Sequence, residues 1–118
     1  EIGPLPEPQK IVMHVDSITV ALKTVSRNTY AIATIIIEDE NGAVVSGATL
    51  TGKWTIKGVA ADTDTALTDA SGKVVVQSNS VRNAPSGTTY TFTITSVAKT
   101  GYTFDASLGP ITATATKP

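Results

Sequence analysis

The chain has 118 residues, a formal net charge of −1, 41% hydrophobic and 16% charged residues, one His and no Cys. Without Cys there is no disulfide, thiol nucleophile or thiolate metal site. Near-neutral charge offers nucleic acid no basic surface, and no apolar run approaches the ~20 residues of a membrane-spanning helix.

One domain is expected at this length, large enough to bury roughly two-thirds of its unfolded surface. Thr is the most biased residue at 20, beside 12 Val and 10 Ile. Branching at Cβ restricts side chains on a helix and suits a pleated, half-buried surface. No apolar stripe repeats at helical spacing over several turns. The composition predicts an all-β chain.

Residues 1–10, EIGPLPEPQK, alternate Pro4, Pro6 and Pro8. Proline at every second position fixes φ, removes amide donors and favours an extended spacer. This segment reads as an interdomain linker, with the folded domain over residues 11–118. A start at Glu1 rather than Met adds to the expectation of a processed product or an excised piece of a larger protein.

Strand-like segments follow. In residues 11–24, Met13 and Val15 share one parity, while Ile18, Val20 and Leu22 share the other. The switch at Asp16-Ser17 requires a bulge or a change of sheet. Residues 29–39, with Ile32, Ile35, Ile36 and Ile37, are apolar on both parities, as in a central strand. They end at Glu38-Asp39-Glu40-Asn41-Gly42, where Asn-Gly signals a tight turn. Residues 48–57 alternate cleanly: Ala48, Leu50, Gly52, Trp54 and Ile56 face one way, Thr49, Thr51, Lys53, Thr55 and Lys57 the other. The second set reads either as a wet face or as protection of an edge strand.

A short piece at 65–68 precedes the turn Asp69-Ala70-Ser71-Gly72, and residues 73–77 form the next strand. Residues 88–97 set Tyr90, Phe92 and Ile94 opposite Thr89, Thr91, Thr93 and Thr95. The last segment runs through Tyr102 and Phe104 and on to residues 111–116, alternating Ile111, Ala113 and Ala115 with threonines. Short strands at this spacing, divided by Gly, Pro, Asn and Asp turns, predict a two-sheet β-sandwich. Trp54 is expected in the core near Phe92 and one of Ile35 or Ile37.

The stretch Asp39-Glu40-Asn41-Gly42-Ala43-Val44-Val45-Ser46-Gly47-Ala48-Thr49-Leu50 resembles the D-x-N-G-x-P-V-x-G-A-x-V signature of bacterial immunoglobulin-like repeats of the invasin/intimin kind. Val44 stands where those repeats usually carry Pro. Thr68-Asp69-Ala70-Ser71-Gly72-Lys73-Val74 resembles their T-D-x-x-G-x-A/V hairpin. Met13-His14-Val15 and the stretch 91–102, ending in Gly101-Tyr102, are similar to modules appended to secreted bacterial hydrolases. Trp54 stands where immunoglobulin domains bury a Trp. Tyr90-Thr91-Phe92 resembles their corner Tyr two residues before the second Cys, with Phe in place of that Cys. The resemblance implies a Greek-key immunoglobulin-like sandwich of seven or eight strands, extracellular and bacterial. It further implies a non-catalytic accessory or spacer module whose partners are neighbouring domains of one polypeptide. Its motifs are mostly turn chemistry, specific for architecture and poor for function.

Candidate chemistry is sparse. His14, Asp16 and Ser17 are the nearest approach to a catalytic group, with no nucleophile-elbow or zinc-helix motif around them. For calcium, the oxygen donors are Glu38 and Asp39 with Glu40 and Asn41 in one loop, and Asp62 and Asp64 in another. For a polysaccharide or cell-surface ligand, Tyr30 and Tyr102 are the rings expected near a rim. Related surface domains form Lys–Asn/Asp isopeptide crosslinks, for which Lys23 and Asp105 are the formal pair.

Overall fold

The structure, a computed structural model, describes residues 10–118; apart from Lys10, the expected linker lies outside the described residues. In chain order the strands are β1 (Ile11–Val25), β2 (Asn28–Asp39), β3 (Thr49–Ile56), β4 (Val59–Leu67), β5 (Lys73–Gln77), β6 (Val81–Arg82), β7 (Thr89–Ala98), β8 (Tyr102–Phe104) and β9 (Thr112–Thr116), with one 3-10 turn at Ala106–Leu108. The chain is an all-β, two-sheet sandwich. One sheet has the order β5-β2-β1-β8, with β6 also on β2; the other runs β4-β3-β7-β9.

The parity switch in β1 is a bulge. Val15 pairs with Ile37 and Ser17 with Ile36, so Asp16 is the extra residue, and the inward set changes from Met13 and Val15 to Ile18, Val20 and Leu22. β2 lies between β1 and β5, with Ile35 and Ile37 in the core and Ile32 and Ile36 half-buried on the outer face. Two expectations change. The short piece at 65–68 is the end of the nine-residue strand β4, whose first residues, Val59-Ala60-Ala61-Asp62, show no clean alternation. The expected last strand divides: β8 joins the first sheet, parallel to β1, while β9 joins the second against β7. With β6 also present, nine strands stand among the described residues rather than seven or eight.

β3 is central, flanked by β4 and β7, so Thr49, Thr51, Lys53 and Thr55 form a wet face and not an edge guard. Threonines continue that face across the sheet. Thr51 bonds Thr65 at 3.2 Å, Thr91 bonds Thr114 at 2.7 Å and Thr93 bonds Thr112 at 3.2 Å. Hydroxyl pairs of this kind keep an almost uncharged sheet wetted while its methyls cover the backbone.

Between β3 and β4 the hairpin Ile56-Lys57-Gly58-Val59 has positive φ at both loop residues, Lys57 at 55° and Gly58 at 78°. This is the two-residue turn that favours Asn-Gly, because its twist matches the strands. A Lys Cβ is strained in that region. Lys57→Asn is therefore expected to stabilise the fold by about 1 kcal/mol, raising the melting temperature by about 4 °C in a thermal scan. An unchanged or lower transition would count against this account of the turn.

The core contains Met13, Val15, Ala31, Ala33, Ile35, Ile37, Leu50, Trp54, Tyr90 and Phe92, each at most 1% exposed. The Trp54 and Phe92 rings meet at 4.8 Å and 53°, and Ile35 and Ile37 belong to the same buried cluster. Tyr90 crosses between sheets, its hydroxyl donating to the Thr29 carbonyl at 2.9 Å.

Register fixes the two poles. Ile11, the 39–43 and 69–73 turns, the start of β3 and the end of β7 share one. The 25–28 and 56–59 hairpins, Tyr90 and Thr116 share the other. The polypeptide thus enters β1 at one pole and leaves β9 at the opposite one.

Candidate functional site

At the entry pole a cleft of about 670 Å³ is bounded by Gly47, Thr49, Val97, Lys99 and Tyr102. Tyr102 is half-buried and packs against the core cluster. The Lys99 ammonium sits 5.0 Å from its ring centroid and donates to the Ser46 carbonyl at 2.5 Å. A ring with a cation on its face and the core behind it is not an open stacking platform. Tyr30 is near the other pole, half-buried on the outer face of the first sheet, where it pairs with Lys23. The two tyrosines do not share a surface.

The carboxylates are engaged locally. Asp39 accepts from the Asn41 amide at 2.8 Å and the Ala43 amide at 3.0 Å. Gly42, at φ 81°, donates to the Asp39 carbonyl. Asp69 repeats this geometry with the Ser71 and Lys73 amides, and Gly72 donates back to its carbonyl. The shared D-x-x-G spacing is the sequence signal for both loops. Glu38, half-buried, pairs with His14 across the β1–β2 ladder.

Asp62 and Asp64 occupy no loop. They lie on edge strand β4, opposite Trp54 and Gly52, and point toward the sandwich interior from its rim. Asp64 Oδ2 accepts the Trp54 indole N–H at 2.9 Å. An inward carboxylate on an edge strand hinders a further strand from adding there, and here it also satisfies the one polar atom of the largest core side chain. Among the described residues no group of three or more His, Asp or Glu side chains comes together as a metal cradle.

His14 is half-buried, and its Nδ1 is buried without a hydrogen-bond partner, so it makes no bond there to Asp16, the exposed bulge residue. Lys23 and Asp105 are far apart. The Asp105 amide donates to the Met13 carbonyl, whereas Lys23 lies ten residues further along β1, about 30 Å at the rise of a strand. The crosslink pair is thereby corrected: no bond can join them.

Among the described residues, three groups titrate away from their ordinary values. The Lys73 amide, then the Ser71 amide, hold the Asp69 carboxyl low. The Ser107 hydroxyl and then its amide do the same for Asp105. Burial pushes the Tyr90 hydroxyl up. As pH falls through the unfolded carboxylate range near 4, the unfolded chain takes up protons that the folded chain refuses, so stability drops. Denaturant midpoints are expected to decline below about pH 4, with a smaller decline once Asp69→Asn and Asp105→Asn are combined. An identical acid profile for that double variant would refute the assignment.

Among the described residues no helix is long and apolar enough to cross a membrane. No family model, curated protein or solved structure matches this chain. What fold and site define is a class: an all-β sandwich with its large rings committed to one interior.

Proposed function

We propose that this domain is a non-catalytic, immunoglobulin-like spacer or accessory module of an extracellular bacterial multidomain protein, holding neighbouring catalytic or adhesive domains apart. The observation behind this reading is the placement of Ile11 and Thr116 at opposite poles of the sandwich. A chain that enters at one end and leaves at the other separates whatever is joined to it by the length of the body. The turn motifs over residues 39–50 and 68–74, which resemble bacterial immunoglobulin-like repeats, support the same reading. So does the use of Trp54, Tyr90 and Phe92 as core.

The second reading, a polysaccharide-binding module, has the Tyr102 cleft in its favour. One pair of experiments separates the two. Spin labels on Lys10→Cys and Lys117→Cys, in a chain with no other Cys, are expected to give one narrow distance, unchanged by added polysaccharide. The unlabelled domain is expected to elute unretained from cellulose, chitin and starch. Retention on any of them, abolished by Tyr102→Ala, would establish the binding module instead.

A further inference from the structure

The near-zero net charge conceals a segregation. Of the eight carboxylates among the described residues, six lie on the entry side: Asp16, Glu38, Asp39, Glu40, Asp69 and Asp105. Three cations accompany them, Lys10, Lys73 and Lys99. The exit pole has the opposite sign. Arg27 and Lys57 sit in its two hairpins, Arg82 pairs with Asn28, and the Lys117 amide donates to the Thr88 carbonyl at 2.8 Å. Lys23 stands two residues before the first hairpin. Among the described residues no outward side-chain carboxylate accompanies them, since Asp62, three residues past Val59, is turned inward. The fifteen residues of β1 put the two ends about 45 Å apart, several screening lengths at physiological salt. Neither charge quenches the other.

The two sets differ in origin. Asp39, Asp69 and Asp105 each accept the backbone amide two residues on, so turn chemistry accounts for them. No such task holds the cations. Lys57 occupies φ 55° where its turn favours Asn, and Arg27 follows Ser26 at φ 57°, where Gly is favoured. Both hairpins depart from the residues their own backbone prefers, and both carry a long exposed cation at the tip. A pole that keeps charge against its own turn preference is shaped by what meets it.

We propose that the exit pole seats the acidic entry pole of a second copy, head to tail, so that modules stack in line. The proposal rests on the spacer reading and adds what holds successive bodies straight. In-line modules bring an exit pole against an entry pole at every junction, and here those surfaces are opposite in sign. Like poles repel, so the same charges disfavour head-to-head and tail-to-tail pairs. Being heterologous, the contact extends into a row. One pole against another is a small contact, of about millimolar affinity between separate copies. A short tether supplies a comparable effective concentration, which makes so weak a contact sufficient within one polypeptide.

The test is paramagnetic broadening between copies of the intact chain. A copy spin-labelled at Asn41→Cys, on the exposed 39–43 turn of a chain with no other Cys, is mixed with isotope-enriched unlabelled copies. Broadening is expected at Arg27, Lys57, Arg82 and Lys117 of the enriched copy, not at its entry pole, and should vanish by about 0.5 M salt. Arg27→Glu combined with Arg82→Glu should weaken the contact at least about tenfold. Glu38→Lys with Glu40→Lys on the spin-labelled copy should then restore it. Lys57→Asn should weaken it about two- to fivefold while raising the melting temperature, a split that a purely structural Lys57 would not show. Thermal scans confirm that each variant folds. Broadening that is absent, spread over the whole surface, or indifferent to salt and charge reversal would overturn the proposal. So would exit-pole shifts with soluble polyphosphate alone, which would assign the pole to a polyanion. A narrow pole-to-pole distance beside either result would leave the spacer reading standing.

Discussion

Replacing Trp54 with alanine is expected to lower the unfolding free energy by about 3–5 kcal/mol, a large part of the 5–15 kcal/mol typical of a domain. Two losses combine. The indole is the largest fully buried side chain, meeting the Phe92 ring at 4.8 Å, and its removal leaves a cavity between the sheets. It also leaves Asp64, half-buried, without the N–H that its Oδ2 accepts. A double-mutant cycle separates these losses. Asp64→Ala alone is expected to cost about 1–3 kcal/mol, because it strands a buried indole N–H. In a Trp54→Phe background the same change should cost markedly less, since no donor is left to strand. Equal costs in both backgrounds, read from urea midpoints, would show that Asp64 contributes nothing through Trp54.

Gly52→Ala is the second large effect, and a more local one. A Cβ at Gly52 would meet three carbons of the Phe92 ring, including Cε2 at 2.7 Å and Cε1 at 2.9 Å. Phe92 is fully buried, and its ring already meets the Trp54 ring at 4.8 Å. A fully buried ring has little room to shift, so overpacking of about 1–3 kcal/mol is expected, seen as a melting point lower by about 4–12 °C. The cause is shape and not backbone strain, so a second substitution should relieve it. Phe92→Leu, destabilising alone, should be less so when joined to Gly52→Ala, because the Cβ then occupies space that the ring has left. Simple addition of the two costs would reject the contact as the source.

These two sites mark what was readable in the chain. Period-two patterning located Leu50, Trp54, Tyr90, Phe92 and Ile94 on inner faces, since a strand buried on one side has little freedom in parity. The change of parity at Asp16 announced a bulge for the same reason. Other features left no such trace. Asp62 and Asp64 read as loop donors because acidic residues are poor strand formers. Their place on an edge follows from the topology, and their role from a Trp ten residues away in sequence. The division between β8 and β9 depends on Gly109, where a Cβ would strike the Val15 carbonyl, a contact between distant segments. Tyr102, of three tyrosines the one that follows a turn glycine, reads as a rim ring. Lys99, which covers it, becomes significant only once the chain folds back to Ser46.

The opposite placement of the two ends has a mechanical consequence. Tension applied through them pulls β1 and β9 along their own axes, in opposite directions. Antiparallel ladder bonds lie across that direction, so they are loaded in shear and must yield together rather than peel one by one. β1 is anchored to β2 through twelve register pairs, while β9 is anchored to β7 through five. Under stretching β9 is the weaker clamp, and its detachment sets the force at which the domain lengthens.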